Sequence, residues 1–120
     1  MRTLQDFQAF HQWLDEQKRF DPDILFNMVL LIGEVGEVAE VLKNIRKKAD
    51  SFLGEYQPEE ALASALADYR EELAYELADC LAYILKLANY TEIDLQEAYL
   101  KKMARNVDRA WWTTKDKDKH

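Results

Sequence analysis

The stretch Leu30–Glu40 reads LLIGEVGEVAE and continues an almost purely apolar run that covers residues 24–32. At about 100° per residue along a helix, Glu34 and Glu37 lie on one face, within the apolar stripe. Carboxylates in such a stripe are costly unless a proton, a cation or a metal ion neutralises them. Residues 21–42 contain no Lys or Arg. The stretch therefore predicts a helix whose acidic side chains are balanced by groups from elsewhere.

Composition and end signals predict an all-α fold around this helix. The 120-residue chain has 48% hydrophobic residues, three Gly and two Pro, which suits one helical domain. Thr3 with Asp6 forms a candidate capping pair, and Pro58 is a typical first helical residue. We predict helices over about residues 4–18, 24–48, 58–89 and 94–110, where the third is either one long helix or breaks near residues 68–72.

The predicted domain covers residues 1–112, and residues 113–120 are expected to form a flexible charged tail. We expect the first helix to bury a face formed by Phe7, Phe10, His11 and Leu14. The second helix is expected to be buried in its N-terminal half, which is apolar nearly all round, and solvated after Val41. The sequence shows no strand alternation, internal repeat or second domain.

Charge and cysteine content exclude several classes of function. A net charge of −7 argues against nucleic acid as a partner, although it leaves open a small anionic ligand held through metal ions. No run is long enough for a transmembrane span, so we expect no membrane partner, and the N-terminus lacks a signal-peptide pattern. The single Cys80 rules out an internal disulfide and fits a reducing cytosol. We therefore expect a cytoplasmic protein.

A second pair of acids, Glu76 and Asp79, has the same i, i+3 spacing as Glu34 and Glu37. If the two helices pack antiparallel, all four carboxylates converge. Oxygen ligands of this kind suit Mg²⁺, with Mn²⁺ as an alternative, and such ions keep waters for a phosphate substrate. The competing interpretation is that both pairs are solvated helix faces. The lack of nearby cations around the first pair favours the metal site.

Other catalytic and metal-binding motifs are missing from the sequence. A di-iron bundle would need a histidine three residues after a glutamate, and neither His11 nor His120 has that position. The sequence also lacks zinc-ligand sets, a P-loop and a nucleophile elbow. Cys80 lies on the apolar face of its helix and is interpreted as a core residue. Gly33 and Gly36 inside the second helix indicate either close helix packing or room for a metal ion or ligand.

The last predicted helix carries complementary charge. Lys102, Asn106 and Arg109 follow i, i+4, i+7 spacing and therefore line one stripe. Basic residues at that spacing commonly form a solvated face. Beside a four-carboxylate metal site they also suit a clamp for phosphate groups. Both interpretations stay open at this point.

Three segments together resemble the MazG-like all-α nucleoside triphosphate pyrophosphohydrolases, nearest the dCTP pyrophosphatase branch. The segments are GEVGEVAE at residues 33–40, ELADCLAY at residues 76–83 and K-M-x-x-N-x-x-R at residues 102–109. The resemblance covers most of the chain, from the first helix to about Arg109. It implies a four- to five-helix bundle whose core is completed by subunit association, as a homodimer or a homotetramer built from dimers.

The resemblance also implies a Mg²⁺-dependent enzyme that splits a nucleoside triphosphate between its α and β phosphates, releasing monophosphate and pyrophosphate. The implied metal ligands are Glu34, Glu37, Glu76 and Asp79. The implied substrate-binding residues are His11, Phe20 and Tyr83 for the nucleoside and Lys102, Asn106 and Arg109 for the phosphates. This sequence departs from the family pattern in two places, one that bears on binding of the base and one that bears on access of the substrate. Asn44 stands where the dCTP branch has a tryptophan, and the segment between the two acidic pairs is longer than is usual in the family.

The mechanistic hypothesis assigns catalysis to Glu34 and Glu37. In it, Mg²⁺ ions held by the carboxylates bridge the triphosphate and activate a water that attacks the α-phosphorus. Glu37 is one candidate for the general base, and Glu40, which points away from the Glu34 face, is another. The expected substrate is dCTP or another (deoxy)nucleoside triphosphate, normal or modified, in nucleotide-pool housecleaning. The alternative function is a non-catalytic helical oligomeric interaction or nucleotide-binding module.

Overall fold

The computed structural model describes residues 2–111, with side chains described as far as Arg109. Within that range the chain forms four helices and no strand: α1 Leu4–Lys18, α2 Ile24–Ser51, α3 Pro58–Tyr90 and α4 Leu95–Trp111. The all-α prediction is confirmed, and α3 is one unbroken helix. No helix in this range is long and apolar enough to cross a membrane. The tail predicted at residues 113–120 lies outside the described residues.

Polar residues and a proline fix where the first three helices begin. The Asp6 amide donates to Thr3 Oγ1 at 3.2 Å and the Thr3 amide donates to Asp6 Oδ2 at 2.9 Å, which is the predicted capping box. Asp23 Oδ1 accepts from the Phe26 amide at 2.7 Å at the start of α2. Pro58 occupies the first turn of α3, where its missing N–H costs nothing. Local sequence signals therefore set these helix starts.

Helices α2 and α3 form an antiparallel hairpin joined by the short link at residues 52–57. Lys48 bridges the two helices through an ion pair with Asp68, with Nζ 2.6 Å from Oδ2. Because Ala49 is buried between the helices, α2 continues to Ser51 beyond its predicted end. The shared core and the half-buried residues around it are Val41, Ile45, Ala49 and Ala65, with Leu66, Tyr69 and Leu73.

Helix α1 packs on α3 through polar contacts centred on Gln8. Gln8 Nε2 donates to Asn89 Oδ1 at 3.1 Å, and Asn89 Nδ2 donates to the Gln8 carbonyl at 2.8 Å. Gln8 Oε1 accepts from the Leu95 amide at 3.0 Å, which ties the start of α4 to the same side chain. The predicted inner face of α1 is wrong in part. Phe7 and Phe10 are exposed, because paired amides rather than aromatic rings occupy the contact with α3.

The burial of α2 is opposite to the predicted pattern. Val41 and Ile45 in its C-terminal half are 3% exposed, whereas Leu25 and Val29 in its N-terminal half are 75% and 63% exposed. The reason is that α3 packs along one side of α2, while the described packing of α1 and α4 leaves the rest of the N-terminal half uncovered. The Cα radius of gyration, 19.2 Å, also exceeds the roughly 14 Å expected for a compact domain of this length.

Candidate metal centre

Three carboxylates meet between α2 and α3. Glu34, Glu76 and Asp79 each offer an oxygen atom, and these atoms lie within 4.8 Å of one another. The hairpin makes this possible because the i, i+3 pair of α3 shares a helix face that lies opposite the acidic stretch of α2. Glu34 and Glu76 are half-buried, and Asp79 is exposed. The structure thus brings together three of the four carboxylates that were expected to converge.

Glu37, the fourth acid, acts on this group through its charge. Its side chain is exposed, and it lies outside the group of three. Burial raises the pKa of Glu76, and the charges of Glu37 and then Glu34 are the next causes of that increase. The charge of Asp79 and a hydrogen bond with Glu34 act in the same direction. Negative charge is therefore concentrated where α2 and α3 meet, and a cation entering there would relieve it.

A divalent cation fits this arrangement. In the described part of the chain, none of the four carboxylates forms an ion pair with Lys or Arg. Ligands lie about 2.0–2.1 Å from Mg²⁺, so ligand oxygens on opposite sides of the ion are about 4.2 Å apart. The oxygen separations in this group, 4.8 Å at most, are close to that distance. Carboxylate oxygens are also the donors that Mg²⁺ and Mn²⁺ prefer.

Neighbouring residues of the two acidic pairs have other roles. Glu40 Oε2 lies 4.0 Å from Lys43 Nζ, and both side chains are more than half exposed. Glu40 is not part of the acidic group.

A Cβ added at Gly33 or Gly36 would meet nothing within 4 Å, which excludes close packing within the described chain as the reason for these glycines. Burial and the adjacent carboxylates raise the pKa of the Cys80 thiol, which favours the core interpretation of that residue.

A second set of expected site residues, His11, Phe20 and Tyr83, lies beyond the acids along α3. Tyr83 follows Asp79 by four residues and therefore lies on the same side of the helix. Burial lowers the pKa of His11, the charge of Asp15 opposes that change and the charge of Lys86 adds to it, so the site favours the neutral imidazole. His11 Nδ1 is buried and has no hydrogen-bond partner among the described residues. The aromatic set thus contains a buried ring nitrogen whose hydrogen-bonding capacity no described residue satisfies.

Sequence reasoning missed the groups that connect these side chains. Lys86 Nζ lies 4.4 Å from the centroid of the Phe20 ring and 5.2 Å from that of Tyr83. Lys86 also pairs with Asp15, with Nζ 3.6 Å from Oδ1, and the Tyr90 hydroxyl donates to Asp15 Oδ2. The signal in the sequence is that Lys86 is the one basic residue in the second half of α3. Its partner could not be identified because Asp15 lies on another helix.

The expected phosphate-binding residues of α4 are not brought to the acidic group by the described contacts. The described packing of α4 is against α1. Lys102 and Arg109 are exposed, and Asn106 is half-buried with its Nδ2 3.9 Å from Met103 Sδ. Their role as a phosphate clamp stays a prediction. It requires α4 to lie close to the acidic group, and the described contacts within one chain do not bring it there.

Comparisons with known proteins identify the family of the chain. Residues 24–111, which span α2, α3 and α4, match the family described as MazG nucleotide pyrophosphohydrolase domain. Two similar curated proteins carry the name dCTP pyrophosphatase 1. The protein from Rattus norvegicus is 34% identical and that from Mus musculus 33% identical, each over 113 residues. Each alignment covers 89% of this chain but 58% of the relative, so the chain spans little more than half the length of these relatives. No solved structure gives a significant match.

Proposed function

The chain belongs to the MazG nucleotide pyrophosphohydrolase family, and we propose that it hydrolyses a nucleoside triphosphate to the monophosphate and pyrophosphate with Mg²⁺ or Mn²⁺. The observation that carries this proposal is the group formed by Glu34, Glu76 and Asp79. Its oxygen atoms lie within 4.8 Å of one another, and the described residues supply no cation to balance them. Such a group suits a divalent cation that carries a triphosphate.

The proposed roles of the side chains follow from their positions. Glu34, Glu76 and Asp79 hold the cation, with Glu37 as a fourth ligand from the exposed side. A cation bound there neutralises charge on the triphosphate and makes nearby water more acidic. Glu37 is also the proposed general base, through a carboxylate oxygen that the cation does not occupy, because it is exposed and adjacent to the group without being enclosed by it. Glu34 is assigned a catalytic role because, as one of the ligands, it would position the same cation.

The proposed substrate is a deoxynucleoside triphosphate, with dCTP as the first candidate because the named relatives are dCTP pyrophosphatases. Phe20 and Tyr83 would stack on the base, and His11 would hydrogen-bond to it or to the sugar through its unpartnered Nδ1. The corresponding biological role is nucleotide-pool housecleaning. The free Cys80 thiol is consistent with the reducing cytoplasm as its location.

The proposed assembly is a homodimer or a homotetramer built from dimers. The N-terminal half of α2 leaves Leu25, Val29 and Ile32 largely exposed, and such an apolar face is typical of an interface. A second copy seated there would complete the core. It would also offer a route for Lys102 and Arg109 of α4 to reach the phosphates bound by another chain. In this proposal the site is complete only in the assembly.

The test of the proposed function is Mg²⁺-dependent pyrophosphate release from a panel of normal and modified triphosphates. Glu37→Gln and Asp79→Asn are expected to lower kcat/KM by at least about a hundredfold, as expected for loss of groups acting directly in the transition state. Glu59→Gln is the matched control, because Glu59 lies in the first turn of α3, roughly 25 Å along the helix from Glu76. Activity retained in both site variants would contradict the proposal.

A binding measurement separates the enzyme from a non-catalytic helical module. Mg²⁺ and a non-hydrolysable deoxynucleoside triphosphate are expected to raise the Tm together by more than either does alone, because a ligand that binds only the folded state stabilises it. A helical interaction module would show no joint stabilisation. A nucleotide-binding module would show it without pyrophosphate release.

A further inference from the structure

Lys86 is a buried cation that the proposed reaction does not use. Its side chain is 11% exposed, and that of its partner Asp15 is 12% exposed. Burying a charged pair away from water is costly, and apolar side chains of the same volume commonly give equal or greater stability. Apolar side chains in place of both Lys86 and Asp15 would avoid the cost of burying two charges. The position therefore calls for a role that only a charged donor can fill.

The hydrogen bonding around Lys86 is incomplete in a specific way. The Nζ–Oδ1 distance to Asp15 is 3.6 Å, whereas charge-assisted N–H···O bonds are typically about 2.7–2.9 Å. Asp15 Oδ1 is buried without a hydrogen-bond partner among the described residues. Asp15 Oδ2 accepts from Tyr90, whose pKa is raised by burial and by that bond, so the phenol stays a donor. The ammonium is held in place by charge and keeps N–H donors for another acceptor.

The position of Lys86 along α3 suits one end of a nucleotide. It follows Asp79 by seven residues, which is about 10 Å along the helix axis. A nucleotide with its phosphates at the acidic group would extend its base toward this point. The two rings that Lys86 contacts, Phe20 and Tyr83, are also the flat surfaces on which a base can stack, and Phe20 is 45% exposed.

The chemistry of the pair selects the kind of acceptor. Because Lys86 and Asp15 neutralise each other, the pair has little net attraction for a phosphate group. A neutral oxygen with in-plane lone pairs, presented by a flat ring, matches both the ammonium donors and the aromatic surroundings. A carbonyl oxygen of a nucleobase has these properties, whereas the adenine ring has no carbonyl oxygen.

We propose that Lys86 is a specificity-determining residue whose ammonium donates a hydrogen bond to a carbonyl oxygen of the substrate's base. Asp15 and Tyr90 are the positioning residues that hold it beside Phe20 and Tyr83. This inference rests on the proposed function in one respect, since it places the triphosphate at the acidic group. It selects bases with a carbonyl oxygen, such as cytosine, over adenine.

The experiment measures binding of two non-hydrolysable nucleotides by titration calorimetry in Mg²⁺. One is the α,β-methylene analogue of dCTP, whose cytosine has a single carbonyl oxygen, and the other is the same molecule with that oxygen replaced by sulfur. Hydrogen bonds to charged groups contribute roughly 1.5–3 kcal/mol, so the unmodified protein is expected to bind the oxygen analogue at least about tenfold tighter. Lys86→Met is expected to bind both analogues equally. The comparison isolates one contact, because a general structural effect changes both affinities alike.

Lys48→Met is the matched control. Lys48 is likewise paired with an aspartate of α3, Asp68, and lies 5.9 Å from the centroid of the Tyr69 ring, but it bridges α2 and α3 and contacts neither Phe20 nor Tyr83. The control is expected to keep the tenfold preference. Because Lys86→Met leaves Asp15 buried without its cation, the double variant Asp15→Asn/Lys86→Met, which removes both charges, is measured as well. It is expected to lose the preference in the same way.

The outcomes separate this inference from the proposed function. Equal binding of the two analogues by the unmodified protein, or a tenfold preference that survives in the Lys86 variants, overturns the role of Lys86 even if pyrophosphate is released. A preference that depends on Lys86, without pyrophosphate release from any triphosphate, supports the role and overturns the proposed reaction. Failure to bind either analogue overturns the role of Lys86 together with dCTP as the substrate, whereas the proposed reaction is overturned only if no triphosphate of the panel releases pyrophosphate.

Discussion

At Glu76, three neighbouring carboxylates oppose ionisation of the side chain. Its pKa is raised by burial and by the charges of Glu37, Glu34 and Asp79. When the pKa of a carboxyl group is higher in the folded than in the unfolded protein, the folded state binds its proton more tightly. The fold then loses stability as pH rises from the ordinary pKa of the group to the raised one. The acidic group is therefore a source of instability when no cation is bound, as is typical of a binding site.

Replacement of Glu76 by glutamine is expected to have opposite effects with and without a divalent cation. Without Mg²⁺, Glu76→Gln should raise the Tm, because one of the mutually repelling charges is removed. With Mg²⁺, the variant should lose most of the stabilisation that the ion gives the unmodified protein, since one ligand is lost. Thermal unfolding with a Mg²⁺ titration measures both effects. A lower Tm without Mg²⁺, or an unchanged Mg²⁺ response, would count against the metal centre.

His11 gives a second prediction at this scale, about pH. Its pKa is lowered chiefly by burial, with Asp15 opposing and Lys86 adding to the decrease. A histidine that binds its proton less readily in the folded state stabilises the fold above its ordinary pKa and loses that contribution as pH falls through the lower folded pKa. The free energy of unfolding should therefore fall on acidification below about pH 6.5, and less so in His11→Gln. Proton NMR in a His120→Gln background, which leaves one histidine, checks the shift directly. A folded pKa of His11 above 6.5 would contradict this account.

At the scale of helices, local signals predict where an element begins better than what it buries. The capping box at Thr3, the cap at Asp23 and the proline at residue 58 each act within one turn, and the sequence predicts all three starts. Which face of a helix is buried depends on the other helices that pack against it. Apolar character alone therefore predicted the wrong buried residues on α1 and α2. The pairing of Lys86 with Asp15 was missed for the same reason, since nothing in either segment indicates the other.

The hairpin core gives a prediction about stability. Ile45 is 3% exposed between α2 and α3, so Ile45→Ala removes packed side-chain volume and is expected to lower the free energy of unfolding by about 2–5 kcal/mol. Ile93→Ala, in the turn before α4 where the side chain is exposed, is the matched control and should change it by about 0.5 kcal/mol at most. Denaturant unfolding compares the two. Equal effects would show that the hairpin is not the stabilising core.

At the scale of the whole molecule, one chain leaves apolar surface uncovered and charged residues separated from the acids they are proposed to serve. Both features have the same explanation if copies of the chain associate through the N-terminal half of α2. The sequence resemblance implied such an assembly, and the apolar run of residues 24–32 is the part whose burial a single chain does not provide. The convergence of Glu34, Glu76 and Asp79 could be predicted because helical spacing and an antiparallel hairpin determine it, whereas Glu37, expected to join them, lies outside this group.

Charge placed on the exposed face of α2 is expected to dissociate the assembly. Val29→Glu/Ile32→Glu adds two carboxylates to this apolar surface and should give a monomer in sedimentation velocity, whereas the unmodified protein is expected to sediment as a dimer or tetramer. Pyrophosphate release should fall with it, because the proposed phosphate clamp comes from another copy. Leu53→Glu, at an exposed position in the α2–α3 link, is the control. A fully active monomer would contradict the shared site.

The most direct test of the central claim is the identity of the products formed in ¹⁸O-labelled water with Mg²⁺, read by ³¹P NMR with the preferred triphosphate of the panel. The expected products are nucleoside monophosphate and pyrophosphate, with the label on the monophosphate, because the proposed water attacks the α-phosphorus. Nucleoside diphosphate and orthophosphate, or label found in the pyrophosphate, would contradict it.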